Sequence, residues 1–182
     1  FYLEKSIENS VVKNGVLSII ALKKEHKNLH YTSAKLTTYK KVKLQYGKIE
    51  VMAKLPKGKG NWPAIWMLPE SIQTKEENWP LCGEIDIMEH KGSQLNKIYG
   101  TVHHPGHSGG NADGGTVTIP NVTTEFHKYA VEWSATTIKF SVDDVVFYTF
   151  ANVSTLPFNQ NFFIILNVAM GGTFGGPVDP GF

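Results

Sequence analysis

Apolar and polar residues alternate in short runs along most of the chain, and glycine, proline, asparagine and aspartate separate these runs. A period of two is typical of half-buried β-strands, and residues 47–55 show it most clearly. Residues 161–170 are apolar at nearly every position, which predicts a strand that is buried on both faces. Further strands are predicted at residues 15–22, 34–44, 83–90, 97–103, 115–119, 128–133, 137–142 and 145–150.

About ten short strands with regularly spaced turns predict an all-β fold, a two-sheet jelly-roll sandwich. No segment has a helical period, and only residues 155–161 are compatible with a helical turn. Asn14-Gly15 is typical of a tight hairpin turn. The glycine-rich stretch at 104–115 is too long for a hairpin turn, so we predict a loop that lines a cleft. The chain, residues 1–182, has the length of a single domain.

Three acidic residues stand close together in the predicted strand at residues 83–90, Gly-Glu-Ile-Asp-Ile-Met-Glu-His. Glu84 and Asp86 point to the same face, but regular alternation turns Glu89 to the other side. A β-bulge at Ile87 and Met88 returns Glu89 to the face of the first two acids. Like charges on one strand face repel each other and need a functional reason, so we predict that the three acids line a cleft. The alternative is an exposed strand edge with scattered acids.

A pair of carboxylic acids is the minimum apparatus for hydrolysis of a glycosidic bond. Enzymes that retain the configuration hold the two groups about 5–5.5 Å apart, one as nucleophile and one as acid/base. A third acid between them couples their titration and raises the pKa of one member toward the value that a general acid needs. Clustered acids also bind calcium or magnesium, but a strand without an oxygen-rich loop is a poor match for either ion. We therefore predict no metal at the acids.

Sugar rings stack on indoles, and the four tryptophans divide by their surroundings. Trp62 and Trp79 precede prolines beside loops, which favours the walls of the cleft, although a core position is the alternative for each. Trp66 lies within an apolar run and Trp133 within an alternating strand, so both are predicted to belong to the core.

Three further polar residues lie at the ends or in the middle of predicted strands. His103 and His104 are adjacent in a strand and point to opposite faces, so one of them should face the cleft and the two should not share a metal. Asn167 is the polar residue of a very apolar strand and must be hydrogen bonded, either to the backbone or to a substrate hydroxyl.

Composition excludes several classes of protein. The net charge is +2 and all 18 basic residues are lysines, which argues against a nucleic-acid partner because the bidentate arginine fork is missing. The single cysteine, Cys82, excludes an intramolecular disulfide and a cysteine-cluster zinc site. The longest apolar run, residues 162–166, is far below the ~18 residues of a spanning helix, so no membrane insertion is expected.

The segment from Glu84 to Glu89 matches the signature E-x-D-x-x-E in its bulged form, and the chain resembles glycoside hydrolase family 16, in particular its laminarinase-like β-1,3-glucanases. The resemblance covers nearly the whole chain. It implies a curved, concanavalin-like jelly roll with substrate in a concave groove. Supporting segments follow the family's order at residues 31–36, 46–51, 60–68, 79–83, 126–133 and 167–172.

Carried over by position, the resemblance assigns a role to each residue of the site. It implies that Glu84 is the nucleophile, Asp86 an assisting acid and Glu89 the acid/base. Trp62 and Trp79 resemble subsite walls. His103 and Asn167 are weaker candidates for contact with the substrate.

The function that the resemblance implies is endo-acting, retaining hydrolysis of β-1,3-glucan. Because such a polymer lies outside the cell, we expect a secreted or cell-surface enzyme, and we expect a monomer that needs no cofactor. Mixed-linkage β-glucanase, agarase and carrageenase are alternatives within the family. A non-catalytic β-glucan-recognition module is an alternative of another class. Many relatives bind calcium through terminal strands that precede Phe1 or follow Phe182 in the family pattern. We therefore expect a domain truncated at both ends and assign no calcium site.

Overall fold

The protein is described by a computed structural model that covers residues 1–74 and 76–182, and it confirms the all-β prediction. Extended segments alternate with turns along the whole chain. The strands are β1 (Ser10–Lys13), β2 (Val16–Ile19), β3 (Leu22–His26), β4 (Leu29–Thr32), β5 (Lys35–Thr37), β6 (Gly47–Ala53), β7 (Asn61–Pro69), β8 (Glu84–His90), β9 (Lys97–His103), β10 (Asp113–Thr118), β11 (His127–Trp133), β12 (Thr137–Val142), β13 (Val145–Ala151) and β14 (Phe162–Met170).

Two antiparallel sheets pack face to face and form the sandwich. The larger sheet has the strand order β10-β9-β8-β7-β14-β5, and the smaller one has the order β13-β12-β11-β6. The core between them joins apolar side chains of the large sheet, such as Ile85 and Ile98, to Val131 and Phe140 of the small sheet. Trp133 lies in this core and its Nε1 donates a hydrogen bond to the carbonyl of Phe158, which confirms the core prediction for that residue.

The N-terminal part of the chain differs from the prediction. The hairpin turn at Asn14-Gly15 is confirmed, since both residues have positive φ, 52° and 75°, as a tight turn between β1 and β2 requires. The single long strand predicted at 34–44 is wrong. The segment contains the short strand β5 and then turns at Thr38, whose carbonyl accepts hydrogen bonds from the amides of Lys41 and Val42. Leu44 returns to the sheet as an isolated antiparallel bridge with Phe162.

A second hairpin, β3-β4, was not predicted. Its sequence is rich in lysine and histidine, and its outward-facing residues give no regular apolar alternation. This pattern is typical of a solvent-exposed hairpin, for which periodicity is a weak signal.

Helices are short and lie at other places than predicted. They are α1 (Ser71–Thr74), α2 (Gly172–Gly175) and a 3₁₀ turn at Gly109–Asn111. Residues 155–161 form turns and bends without a helix, because Pro157 removes an amide donor and Phe158 is anchored in the core. Among residues 1–74 and 76–182, no helix is long and apolar enough to cross a membrane.

Candidate active site

The strand β8 contains the predicted bulge. On its β7 side, Ile65 pairs with Met88 and the next residue, Trp66, pairs with Asp86, so Ile87 has no partner on that strand. One extra residue in one strand of an antiparallel pair is the definition of a β-bulge. The prediction of a bulge at Ile87 and Met88 is thereby confirmed.

On the other side of β8, Ile87 and Met88 both lie opposite a single residue of β9, Gly100. Both bulged side chains are buried in the core. A Cβ atom at Gly100 would lie 2.8 Å from the ring of Phe140, so the position accepts only glycine without movement of its neighbours. The small sheet therefore packs closely against the back of the bulge.

The bulge brings Glu84, Asp86 and Glu89 to the face of the large sheet that is turned away from the core, which we call the open face. Glu84 and Asp86 share a side-chain hydrogen bond. The charges of Asp86 and Glu89 both act on Glu84, and the charge of Glu89 acts on Asp86. The acids therefore form one electrostatic unit, as the alternation with a bulge predicts.

His103 faces this unit, which confirms that one of the two adjacent histidines is directed to the cleft. Its Nε2 atom lies 2.9 Å from Asp86 Oδ2 and 3.8 Å from Glu84 Oε1. The backbone N–H of Gly109 donates to His103 Nδ1 at 3.1 Å, so the neutral ring carries its proton on Nε2, toward the acids. That N–H is not aligned with Asp86 Oδ2, which has no hydrogen-bond partner among residues 1–74 and 76–182.

The glycine-rich loop predicted to line the cleft contacts His103, the neighbour of the acids, through the same Gly109 amide. It is shorter than predicted, because β10 already begins at Asp113. His104 points to the opposite side of β9 and packs against Phe150 and Phe158, as expected for adjacent strand residues.

Two tryptophans stand next to the acids. The Nε1 atom of Trp62 donates a hydrogen bond of 2.8 Å to Glu89 Oε1. Trp79 is 44% exposed, and its ring centroid lies 5.6 Å from that of His103. Both positions agree with walls of a sugar-binding cleft, and their contact with substrate stays a prediction.

Burial raises the pKa of all three carboxyl groups. The pKa of Glu84 rises to about 9, first because of burial and then because of the charge of Asp86. Burial and the charge of Glu89 raise the pKa of Asp86 well above its usual range. Burial also raises the pKa of Glu89, although the hydrogen bond from Trp62 opposes this change. The group therefore retains protons at neutral pH and titrates as a set.

This burial has a consequence for stability that can be measured. Folding raises the pKa of Glu84 from its usual 4.5 to about 9, so the folded protein binds more protons than the unfolded chain between these values. Stability therefore falls as pH rises through that window. We expect Glu84→Gln to raise the free energy of unfolding at pH 8 by roughly 1–3 kcal/mol, since each tenfold change in proton affinity corresponds to ~1.4 kcal/mol and the set shares the effect.

Chemical denaturation at several pH values checks this expectation, and the gain should shrink toward pH 4.5. A matched control is Glu132→Gln, which removes an exposed carboxylate 3.1 Å from Lys139. That variant should change stability by less than about 1 kcal/mol at every pH. A Glu84→Gln variant that is no more stable than the wild type at pH 8 would contradict the assigned pKa.

Trp66 was predicted to belong to the core; it lies outside the core between the two sheets and packs instead against a second apolar cluster of Leu68, Phe163 and Ile165. It pairs with Asp86 on the open face and is partly exposed. Its Nε1 donates a 2.6 Å hydrogen bond to Asn167 Oδ1, and Asn167 Nδ2 donates to the hydroxyl of Tyr2 at 3.0 Å. The amide of Asn167 is thus satisfied by two side chains and not by the backbone, and its contact with substrate stays a prediction.

An aromatic cluster beside Glu89 was missed in the sequence. The ring of Phe174, in α2, lies 5.1 Å from that of Trp62 and 5.2 Å from that of Tyr99, measured between centroids. Lys91 Nζ lies 3.9 Å from the centroid of Phe174. Tyr99 shares the alternation of His103 along β9 and could have been found by it, whereas Phe174 follows a glycine pair without any pattern.

Glu84, Asp86 and His103 could each offer one ligand atom to a metal, and these atoms lie within 4.8 Å of one another. Calcium takes six to eight oxygen ligands and magnesium a near-ideal octahedron, so two carboxylates and an imidazole match neither ion well. The arrangement is better suited to proton transfer among coupled acids.

An antiparallel sandwich that holds three coupled carboxyl groups beside indoles on an open sheet face has the make-up of a glycoside hydrolase. Residues 2–177 match the model of Glycosyl hydrolases family 16. The chain belongs to this family, and it is an enzyme of the glycoside hydrolase class.

Individual relatives agree with this assignment. The Beta-glucanase of Rhodothermus marinus is 42% identical over 193 residues, which covers 99% of this chain and 68% of the relative. The Glucan endo-1,3-beta-glucosidase of Cryptopygus antarcticus is 35% identical over 199 residues and covers 98% and 72%. The X-ray structure of the laminarinase from Rhodothermus marinus superposes with a TM-score of 0.94 at 41% identity, over 99% of this chain and 77% of that one. The predicted family and jelly-roll fold are confirmed.

Proposed function

We propose that this protein is an endo-acting hydrolase that cleaves β-1,3-glucan with retention of configuration. The observation that carries the proposal is the buried set of Glu84, Asp86 and Glu89, which the bulge of β8 turns to one face. The choice of glucan is supported by two relatives at 35–42% identity, which are a glucan endo-1,3-beta-glucosidase and a Beta-glucanase. An open face accepts a polymer that continues on both sides of the acids, which favours cleavage within the chain.

In the first step, Glu89 donates its proton to the oxygen of the scissile bond as the carboxylate of Glu84 attacks the anomeric carbon. The bond to the leaving sugar breaks, and a covalent ester to Glu84 forms. The hydrogen bond from Trp62 fixes the direction of the Glu89 carboxyl group. Asp86 shares a hydrogen bond with Glu84 and accommodates its change of charge during attack.

In the second step, Glu89 accepts a proton from water, and the resulting hydroxide attacks the anomeric carbon. The ester bond to Glu84 breaks, its carboxylate is released and the configuration is restored. His103 contacts both Glu84 and Asp86, so it can stabilise the returning negative charge. Two inversions at one carbon give net retention.

The alternatives within the family differ in substrate, and the one outside it differs in chemistry. A mixed-linkage β-glucanase, an agarase and a carrageenase use the same arrangement of acids. A non-catalytic recognition module does not need a buried pair of glutamates. Keeping two like charges together destabilises the fold, so a module without catalysis gains nothing from them. The presence of Glu84 and Glu89 therefore favours catalysis.

A product profile on laminarin, lichenan, agarose and carrageenan tests the substrate. We expect laminarin to be cleaved fastest, with a ladder of oligosaccharides early in the reaction, because an endo-acting enzyme cuts at internal bonds. NMR of the first products should show the β anomer. Faster cleavage of agarose or carrageenan would contradict the glucan assignment, and glucose as the sole early product would contradict endo action.

We further propose that the enzyme is secreted or displayed on the cell surface and works as a monomer. The substrate supports secretion or surface display, because a glucan polymer is too large to enter a cell. A monomer is supported by the mechanism, since one chain supplies the nucleophile, the acid/base and the neighbouring indoles.

A further inference from the structure

The glycine-rich loop contains a second cluster of polar side chains, separate from the acids of β8. His104 and His107 exchange two backbone hydrogen bonds of 2.9 Å and close a two-residue turn at the start of the loop. Their rings are nearly parallel, with an interplanar angle of 14° and centroids 4.8 Å apart. The backbone of the turn therefore holds two imidazoles side by side.

Asp113 completes the cluster from the first residue of β10. Its Oδ2 atom lies 2.9 Å from His104 Nε2 and 3.0 Å from His107 Nδ1. The three ligand atoms lie within 4.8 Å of one another. The Oδ2 atom of Asp113 is thus the point that both imidazole nitrogens approach.

The exposure of the three residues leaves that point accessible from one side. The side chain of His104 is 7% exposed, whereas those of His107 and Asp113 are 49% and 34% exposed. His104 Nδ1 is buried, so Nε2 is the nitrogen of this ring that can reach an ion. An ion from solvent would therefore be bound by one buried ligand, His104, and by two exposed ligands, His107 and Asp113.

Two imidazoles and a carboxylate are the ligands of divalent transition metals, and zinc with three protein ligands keeps a fourth position for water. Calcium and magnesium prefer oxygen ligands alone. We propose that His104, His107 and Asp113 bind a zinc-type divalent metal ion that clamps the glycine-rich loop. The same loop carries Gly109, whose amide holds His103, so the ion stabilises the support of the acids without taking part in the reaction.

Isothermal titration of the full, chelator-treated chain with zinc chloride tests the proposal, with cobalt(II) absorption as a second readout. We expect one zinc ion per chain and a higher midpoint of thermal unfolding with zinc. His107→Ala should weaken binding by more than about 10²-fold, since loss of an outer-shell partner alone costs 10–100-fold. His107 is half exposed, so the variant should fold without metal as the wild type does.

The matched control is His30→Ala, which removes an exposed histidine 2.7 Å from Glu25 and leaves the cluster intact. It should bind zinc as the wild type does. The proposal is overturned if the wild type binds no zinc. It is also overturned if His107→Ala binds zinc unchanged, for instance because the ion sits at Glu84, Asp86 and His103 instead.

Discussion

Replacing Glu84 by alanine should reduce hydrolysis of laminarin by roughly 10⁴-fold or more, because removal of a catalytic nucleophile costs rates of that order. Glu89→Ala should cost roughly 10²–10⁴-fold on substrates with a poor leaving group, since it removes general acid–base catalysis. Steady-state turnover of laminarin measures both effects. The variant Glu132→Ala, which lacks an exposed carboxylate of the small sheet, should keep full activity.

Azide distinguishes the two roles. In Glu84→Ala the anion can enter the space of the missing carboxylate and attack the anomeric carbon directly, which gives a glycosyl azide of inverted configuration. In Glu89→Ala it should instead attack the glycosyl-enzyme and give the retained configuration. The reverse pattern would exchange the roles of the two glutamates. Unchanged turnover in either variant would contradict the proposed site.

This experiment also assigns the protons within the buried set. The nucleophile must be ionised and the acid/base protonated, yet burial raises the pKa of Glu84 to about 9 and that of Glu89 as well. Substrate changes the burial and hydrogen bonding of these groups, and coupled acids share their protons among several arrangements. The pattern of azide rescue reports which glutamate carries the charge during the reaction.

Much of the site could be predicted because its signal is local. The face on which Glu84 and Asp86 lie follows from the period of a strand. Glu89 is at an odd spacing from both, which regular alternation would turn to the other face, and this indicates a bulge. His103 could be placed by the same alternation. The strand order, which sets β7 and β9 on either side of β8, depends on contacts far apart in the chain.

The errors have physical causes. Trp66 lies in a run in which every residue is apolar or aromatic, so alternation between core and open face is not visible in hydropathy. Its spacing of four from Trp62 was the available signal, because residues at even spacing share a strand face. The convergence of His104, His107 and Asp113 depends on where the loop returns to the sheet, which no local pattern determines.

The bulge can be tested by three deletions of equal length within β8. If Met88 or Ile87 is removed, the remaining residues pair with both β7 and β9 in regular register, and all three acids still point to the open face. Such a variant loses one buried side chain at a cost of about 2–5 kcal/mol, which a domain of ordinary stability tolerates. Turnover should fall by roughly 10²-fold, because one carboxyl group is misplaced. This loss should be smaller than that of the Glu84→Ala variant, in which a carboxyl group is missing.

Deletion of Ile85 is the matched control, because it shortens the strand by the same amount but makes Glu84 and Asp86 adjacent, so that one of the two carboxyl groups must face the core. A carboxyl group among apolar side chains lacks hydrogen-bond partners, so this variant should not fold. Circular dichroism and laminarin turnover of the three variants, compared side by side, measure the difference. If the Met88 and Ile87 deletions unfold as completely as the Ile85 deletion, β8 cannot pair in regular register without the extra residue of the bulge, and the prediction is wrong. If the Ile85 deletion folds and hydrolyses glucan, the alternation that places Glu84 and Asp86 on one face is wrong.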